Sequence, residues 1–282
     1  MASPELTDPR APRVRAARRL ARRAFRAEQR QFLAEGAQAV GEALRGVEDG
    51  VVVGEVFLTA EAAARHPDLV EAARALGVTV SSGSAEVLAA ISDTVTPQGL
   101  VAVCGFVDRP LGSLLATQPR LVALLAEVRD PGNAGSVIRA ADAAGADGAV
   151  FSTGCVDPYN GKVVRSSVGG LFHLPLVTGV PPLEAVGQLA AAGVQVLAAD
   201  ASGSVDLDEA EDSRVLARPT AWLFGNEAWG LSEGLRDAAD AVVRIPIYGR
   251  AESLNLATAA TLCLYASARC QRGHRAAGGS AS

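Results

Sequence analysis

Three apolar segments, each long enough for a buried strand, lead directly into loops rich in glycine, asparagine and proline. Glycine reaches backbone angles that other residues avoid, while asparagine and proline favour turns. In open α/β sheets, ligands bind beside the carboxyl ends of the strands. The pattern therefore predicts an α/β fold with one site built from three strand ends. The strand segments are 120–128, 220–224 and 241–247.

Further candidate strands and helices alternate along the chain, which is typical of α/β layers. Towards the N-terminus we expect strands at 51–59, 78–80 and 99–106, and helices at 37–44, 61–76 and 84–91. Later we expect strands at 148–152 and 194–199, and helices over 136–144 and from 254 to about 269. The predicted organisation is a basic arm or helix (1–30), a smaller domain (31–110), a linker (111–119), a larger domain (120–270) and a flexible tail (271–282).

Charge is distributed unevenly along the chain. The first 30 residues hold nine arginines and three acidic residues, a net charge of +6, whereas the remaining 252 residues carry −11. A helix over 14–30 would align several of these side chains on one side. Such a basic segment is typical of proteins that bind RNA or DNA, although a solvated arginine-rich helix is the simpler alternative. The aligned arginines are Arg18, Arg19, Arg22, Arg23, Arg26 and Arg30.

Several functional classes are disfavoured by what the sequence lacks. The four cysteines are widely spaced, so we expect buried free thiols rather than a disulfide framework or zinc site. No cluster has metal-ligand spacing, and no metal is predicted. No apolar stretch is long enough to span a bilayer, and the N-terminus lacks the apolar segment of a secretory signal. We therefore expect a cytoplasmic protein.

The first loop follows 120–128 and contains Asn133, Gly135 and Arg139. A helix that starts after a glycine turn presents free N–H groups, which can bind an anion such as phosphate. Arg139 lies in an alanine-rich helix, where we expect a charged side chain to need a partner. The alternative is a purely structural turn between strand and helix.

The second and third loops place polar side chains at two further strand ends. Asn226 and Glu227 come directly after 220–224, and Gly230 adds a flexible position. In the third loop, Ser253 can cap the last helix, and Asn255 stands in an apolar helix without an evident partner. A capped loop with no ligand remains the alternative for each. Usual nucleotide fingerprints such as Gly-x-Gly-x-x-Gly are absent from these loops.

The three loops together resemble the three motifs of the SpoU (TrmH-type) RNA methyltransferases of the SPOUT superfamily, in the same order over about 120–269. The first is Asn133-x-Gly135-x-x-x-Arg139 and the second is Gly225-Asn226-Glu227-x-x-Gly230-Leu231. The third is Ile245-Pro246 with Ser253-Leu254-Asn255. The N-terminal domain is similar, less specifically, to the ribosomal-protein-like RNA-binding domain often joined to this family.

The resemblance implies a parallel sheet with a deep trefoil knot, preceded by a smaller α/β RNA-binding domain. It also implies a homodimer formed through the knot and the last helix, in agreement with the apolar character of that helix. Loops two and three would bind S-adenosyl-L-methionine. The cofactor-binding residues implied are Gly225, Asn226, Glu227, Gly230, Ile245, Ile247, Ser253, Leu254 and Asn255.

The implied reaction is methyl transfer to a ribose 2′-hydroxyl, with 23S rRNA favoured as substrate because of the extra N-terminal domain. Arg139 would orient the ribose and stabilise the developing alkoxide, and Asn133 would position Arg139 or the ribose. Arg165 would contact RNA phosphate, unless it forms only a surface ion pair. Three alternatives stay open: a tRNA methyltransferase, a non-catalytic RNA-binding protein of this fold, and a phosphate-loop enzyme acting on a small metabolite.

Overall fold

The computed structural model describes residues 5–94 and 96–278, with side chains up to residue 273. Contacts divide the chain into two compact units. The first comprises residues up to Val107 together with Asp157–His173, and the second comprises Asp108–Val156 and the residues from Leu174 onwards. The segment 157–173 therefore belongs to the first unit, although the residues on both sides of it in sequence belong to the second.

The first unit is a four-stranded sheet flanked by helices, in the order β1-β4-β2-β3. Its strands are β1 (Gln31–Glu35), β2 (Val53–Leu58), β3 (Thr79–Ser82) and β4 (Leu100–Gly105). Its helices are α1 (Pro12–Arg19), α2 (Arg23–Gln29), α3 (Ala37–Arg45), α4 (Ala60–Arg65), α5 (Pro67–Ala75), α6 (Ala85–Ile91), α9 (Gly161–Ser167) and α10 (Gly170–His173). β4 pairs antiparallel with β1 and β2, and β2 pairs parallel with β3.

The second unit contains a seven-stranded sheet in the order β7-β6-β5-β10-β8-β11-β9, with parallel pairing throughout. Its strands are β5 (Leu121–Leu125), β6 (Gly148–Ser152), β7 (Leu176–Val180), β8 (Gln195–Ala199), β9 (Val205–Asp206), β10 (Thr220–Phe224) and β11 (Ala241–Arg244). Its helices are α7 (Leu111–Ala116), α8 (Pro131–Ala144), α11 (Pro182–Ala191), α12 (Leu207–Asp212), α13 (Glu233–Asp237) and α14 (Leu256–Gly278), with a 3₁₀ helix at Val215–Ala217.

Helices cover both faces of this sheet, which explains why its central strands are apolar throughout. β5, β6 and β10 are buried along their whole length. A core cluster joins α7, α11 and α13 to the sheet, while α8 and α14 pack together, with α14 also lying against β5 and β10. The chain thus returns from β11, near one edge, to the middle of the sheet.

Several predicted boundaries differ from the structure, and proline explains three of them. The strand expected over 241–247 ends at Arg244, since Pro246 cannot donate to the ladder. The helix expected over 61–76 divides at Pro67. Helix α8 begins at Pro131, five residues before the expected start, because proline suits the first position of a helix.

The two ends of the chain also depart from expectation. Residues 14–30 form two helices with a break at 20–22 rather than one. The segment 111–119, expected as a linker, contains α7. The last helix continues to Gly278, so residues 271–278 of the expected flexible tail are helical, and 279–282 lie outside the described residues.

Candidate active site

The first and second loops are joined by the carboxylate of Glu227. Glu227 accepts hydrogen bonds from the backbone N–H groups of Arg129 and Asp130, at 3.2 and 3.0 Å. It also accepts one from the side-chain amide of Asn133, at 3.3 Å. The loop after β10 is thereby fixed to the loop after the neighbouring strand, β5.

The third loop joins the same network through Asn255. Its amide nitrogen donates to Oδ1 of Asn133 at 2.9 Å. Its own Oδ1 accepts from the backbone N–H groups of Ala257 and Thr258, at 2.9 and 3.3 Å, and so caps α14. The sequence assigned this cap to Ser253, but Asn255 supplies it. The three predicted loops therefore meet in one chain of hydrogen bonds, Glu227–Asn133–Asn255.

The second loop closes on itself over a very short distance. Asn226 and Gly230 exchange two backbone hydrogen bonds, of 3.0 and 2.9 Å. A Cβ on Gly225 would lie 2.5 Å from the carbonyl carbon of Gly230, so only glycine fits there. The buried amide of Asn226 donates to the carbonyl of Glu127 at 2.7 Å. Glu127 has a φ of 56°, an uncommon angle for a residue with a side chain, and thus the base of the first loop is strained.

The start of α8 does not offer the free anion site that the sequence suggested. Asp130 caps the helix, accepting from the backbone N–H of Asn133 at 2.8 Å. The N–H groups of Arg129 and Asp130 are bound to Glu227. Two protein carboxylates thus occupy three of the N–H groups at this turn, which counts against a phosphate-loop enzyme.

Arg139 lies on the exposed face of α8 and not in its core-facing side. Within the described residues, its guanidinium has no hydrogen bond or ion pair. It lies six positions after Asn133 on the helix, about 9 Å along the axis and about 120° around it. The expectation that Arg139 needs a buried partner was wrong, since the side chain is solvated. No hydrogen bond joins it to Asn133 among the residues described.

The remaining third-loop positions are open to solvent. Ile245 is half-buried, whereas Ile247 and Leu254 are exposed by 38% and 36%. Ser253 is also exposed. Apolar side chains exposed beside a hydrogen-bonded polar network are typical of a ligand-binding surface.

The basic N-terminal segment is part of the first unit. Val14, Ala17 and Leu20 are buried in a core cluster with residues of the sheet and α6. Arg18, Arg19, Arg22 and Arg23 are exposed. They form a solvent-facing basic surface on α1, on α2 and on the turn between them.

Arg26 departs from its four neighbours. Its side chain is 4% exposed and forms an ion pair with Asp157, with Nη2 2.7 Å from Oδ2. Its Nη1 donates to the carbonyls of Leu20 and Ala21, at 2.9 and 2.8 Å. The prediction that Arg26 contacts RNA is corrected accordingly, because all three of its nitrogens are bound within the protein.

Arg165, on α9, lies near a carboxylate of the same unit. Its Nη1 is 3.4 Å from Oε2 of Glu35, whose side chain is 8% exposed, and a third of the Arg165 side chain is exposed. The distance is long for a hydrogen bond, and the guanidinium keeps accessible donors.

One feature of the loops was missed from the sequence. Trp229, in the second loop, is 55% exposed, and the guanidinium of Arg129 lies 4.9 Å from the centre of its ring. A tryptophan between Ala228 and Gly230 in a loop, one of only two in the chain, was the available signal.

Other candidate chemistries find no support in the described part of the chain. It contains no group of three metal-ligating side chains. Its cysteines are unpaired, three of them buried. Burial raises the pKa of the Cys104 thiol to about 12, which makes it a poor nucleophile. None of the helices described combines the length and apolar character needed to cross a membrane.

Comparison with known proteins assigns both units. The SpoU rRNA Methylase family matches residues 120–265, and the MRM3-like substrate binding domain matches residues 11–102. The 23S rRNA (guanosine(2553)-2′-O)-methyltransferase RlmP of Bacillus subtilis (strain 168) is 37% identical over 182 residues, which are 64% of this chain and 69% of that protein.

Solved structures match over nearly the whole chain. The AdoMet-bound rRNA methyltransferase from Sinorhizobium meliloti superposes with a TM-score of 0.81 and 32% identity, covering 94% of this chain and 97% of that one. The SpoU methyltransferase AviRb from Streptomyces viridochromogenes, in complex with the cofactor AdoMet, gives a TM-score of 0.78 and 30% identity, covering 93% and 99%. The second unit thus has the knotted SPOUT fold of these neighbours, as the sequence motifs implied.

Proposed function

The chain belongs to the SpoU rRNA Methylase family, and we propose on that basis that it transfers a methyl group from S-adenosyl-L-methionine to a ribose 2′-hydroxyl of 23S rRNA. The observation that carries the proposal is the meeting of the three motif loops through Glu227, Asn133 and Asn255. Relatives that are named as rRNA methyltransferases favour rRNA over tRNA.

S-adenosyl-L-methionine fits the surface formed by the second and third loops. The exposed side chains of Ile247 and Leu254 offer apolar contacts for the adenosine. Where the second loop closes, Gly225 and Gly230 have no side chains. When bound, the cofactor supplies an electrophilic methyl group on a sulfonium. The residues that we propose to hold it are Gly225, Asn226, Glu227, Gly230, Ile245, Ile247, Ser253, Leu254 and Asn255.

Arg139 is the cation that we assign to the RNA ribose. An arginine stays protonated in proteins, so it is a poor general base. Its exposed and unpaired guanidinium can instead bind the phosphate beside the target ribose and stabilise negative charge on the 2′-oxygen as its proton leaves. Asn133 is held on both sides by Glu227 and Asn255, which suits it to fix the first loop rather than to touch Arg139.

The first unit would bind the structured RNA around the target. The exposed side chains of Arg18, Arg19, Arg22 and Arg23 provide phosphate contacts, and Arg165 adds another if it leaves Glu35. We accordingly assign substrate binding to residues 31–110 with the basic segment 1–30, and catalysis to 120–270. A cytoplasmic location follows from an rRNA substrate.

We also propose a homodimer formed through the last helix. Although α14 buries one face, including Cys263 and Leu264, it exposes Leu262 and Tyr265 by 43% and 42% on the other. Large apolar side chains three residues apart form a stripe that a second copy would cover.

The proposal is tested with Arg139→Ala in a methyl-transfer assay. The substrate is unmodified 23S rRNA transcript and the donor is radiolabelled S-adenosyl-L-methionine. Methyl transfer should fall by at least about 100-fold, as expected when a charge-stabilising group is removed, while calorimetry shows unchanged cofactor affinity. Arg139→Lys should give an intermediate rate, and Arg218→Ala, which removes an exposed arginine before the amino end of β10, should match the wild type.

Two results would contradict this assignment. An equal loss of cofactor affinity and methyl transfer in Arg139→Ala would place Arg139 in the cofactor site. Wild-type protein that binds rRNA but methylates neither rRNA nor tRNA would be a non-catalytic RNA-binding protein, whereas methylation of tRNA alone would move the substrate to the alternative class. Mapping 2′-O-methyl positions in the product identifies the nucleotide.

A further inference from the structure

The hydrogen bonds of its own loop hold Trp229 in an exposed position. Asn226 and Gly230 close the loop with two backbone hydrogen bonds, and the Asn226 side chain accepts from the N–H of Ala228 at 2.8 Å. The same side chain ties the loop to Glu127. A rigid turn of this kind holds the indole outward, where 55% of the residue meets solvent.

The side chain of Arg129 lies over the ring of this indole. Its guanidinium lies 4.9 Å from the ring centre, while its backbone N–H is fixed by Glu227. In the part of the chain that the structure describes, no carboxylate forms an ion pair with this guanidinium. The backbone of Arg129 is thus held in place, and its guanidinium contacts the indole.

An exposed aromatic ring beside an unpaired guanidinium matches the chemistry of an RNA base and its phosphate. Bases stack on tryptophan whatever their sequence, and arginine adds stacking and charge. We propose that Trp229 and Arg129 form a stacking platform for one unpaired base of the RNA substrate, at or beside the methylated nucleotide. The inference rests on the proposed function, since it gives RNA a contact within the same three loops.

Neighbouring charges favour RNA over an anionic membrane as the occupant. Glu227 and Asp130 lie in the same loops and would repel a broad anionic surface, whereas a single base is uncharged and can stack on the indole beside them. A second copy of this chain is the other candidate, and the test below separates it.

Acrylamide quenching of tryptophan fluorescence reports on this platform directly. The chain has two tryptophans. Trp222 is fully buried and donates to Ser267 at 2.8 Å, so quenching comes from Trp229. Adding unmodified 23S rRNA transcript should lower the quenching slope towards that of Trp229→Phe, while inorganic polyphosphate, a polyanion without bases, should leave it unchanged.

Kinetics supply the second readout. Trp229→Ala should reduce kcat/KM for the rRNA roughly 5- to 150-fold, the range expected for loss of one base–aromatic stack, with unchanged affinity for S-adenosyl-L-methionine. Trp229→Phe should recover most of the loss. Leu183→Ala removes an equally exposed apolar side chain from α11, at 55% exposure, and should behave as the wild type.

Four outcomes would overturn the inference. These are an unchanged quenching slope with rRNA, protection by S-adenosyl-L-methionine alone, protection without RNA that disappears on dilution, and wild-type kinetics for Trp229→Ala. The third would assign Trp229 to a dimer interface. If rRNA protects Trp229 from quenching but the protein methylates no RNA, the proposed function is rejected and the stacking platform is retained. If the protein methylates RNA but rRNA gives no protection, the stacking platform is rejected and the proposed function is retained.

Discussion

The buried guanidinium of Arg26 should hold the segment 157–173 within the first unit, and Arg26→Ala should release it. Arg26 makes two hydrogen bonds to Asp157, from Nε at 2.9 Å and from Nη2 at 2.7 Å. Removing the guanidinium would leave the carboxylate of Asp157 unpaired in a site where only 12% of its side chain is exposed. The same change deprives the carbonyls of Leu20 and Ala21 of their donor.

The size of the effect follows from burial. Breaking a buried ion pair by removing one partner costs about 3–5 kcal/mol, because the remaining charge is uncompensated. The lower end of that range applies here, since Asp157 keeps some contact with water. A loss of about 3 kcal/mol raises the equilibrium constant for local opening by roughly 100-fold.

Native-state trypsin cleavage measures this opening, since Lys162 and Arg165 lie within the segment. When closing is faster than cleavage, the cleavage rate follows the population of the open form. We expect Arg26→Ala to be cut roughly 100-fold faster than the wild type. Arg23→Ala, an exposed position on the same helix, should be cut at the wild-type rate. Asp157→Ala in the Arg26→Ala background should restore part of the protection.

The opposite pattern would refute the reasoning. If Arg26→Ala were cut no faster than Arg23→Ala, and lost RNA affinity to the same degree, Arg26 would belong with the RNA-binding arginines as the sequence suggested.

Three further changes test other parts of the second unit. Gly225→Ala should abolish calorimetric binding of S-adenosyl-L-methionine, because the new Cβ has no space, whereas Gly234→Ala has no heavy atom within 4 Å and should bind normally. Alkylation of the native protein, read by peptide mass spectrometry, should modify Cys270 first, since the other thiols are buried. Burial alone would raise the pKa of Asp200, but hydrogen bonds from Ser202 lower it overall. The ionised Asp200 therefore stabilises the fold fully above the ordinary pKa of 3.8, and this contribution is lost as pH falls through the lower folded pKa. When the free energy of unfolding by urea is measured against pH, Asp200→Asn should make its decrease at acid pH less steep.

Each of these has a clear contrary result. Normal cofactor affinity in Gly225→Ala would show that the second loop can widen to accommodate a Cβ at this position. Rapid alkylation of a buried thiol would show that its surroundings open readily. An acid limb as steep in Asp200→Asn as in the wild type would assign that pH dependence to other carboxylates.

Local sequence patterns predicted the central strands well and the sheet's edges poorly. The strand expected at 220–224 is β10 residue for residue, and 148–152 is β6, since both are continuous apolar runs that only a doubly covered strand accommodates. β7 was missed because Thr178 and Gly179 interrupt its apolar pattern. β9 has only two residues, too few to show any periodicity.

The site could be located from the sequence, but its partners could not be assigned. Asn133 and Glu227 are 94 residues apart, and Asn133 and Asn255 are 122 apart; no local pattern encodes such pairings. The same limit explains why the burial of Arg26 could not be predicted. In sequence it resembles Arg22 and Arg23, and only Asp157, 131 residues away, distinguishes it. Burial of a charge depends on tertiary partners, which the spacing of arginines along a helix does not reveal.

The hydrogen bonds of Glu227 would couple the proposed cofactor site to the proposed RNA site. Glu227 belongs to the loop proposed to hold the methyl donor, yet its carboxylate fixes the backbone of Arg129 and Asp130 in the loop that leads to Arg139. A shift of the second loop on binding the cofactor would therefore move the first loop as well, because two charge-assisted bonds join them. Asn133 transmits the same displacement to the start of α14 through Asn255. If, as proposed, the second loop holds the methyl donor and Arg139 the ribose, the same network would help to position both for in-line transfer.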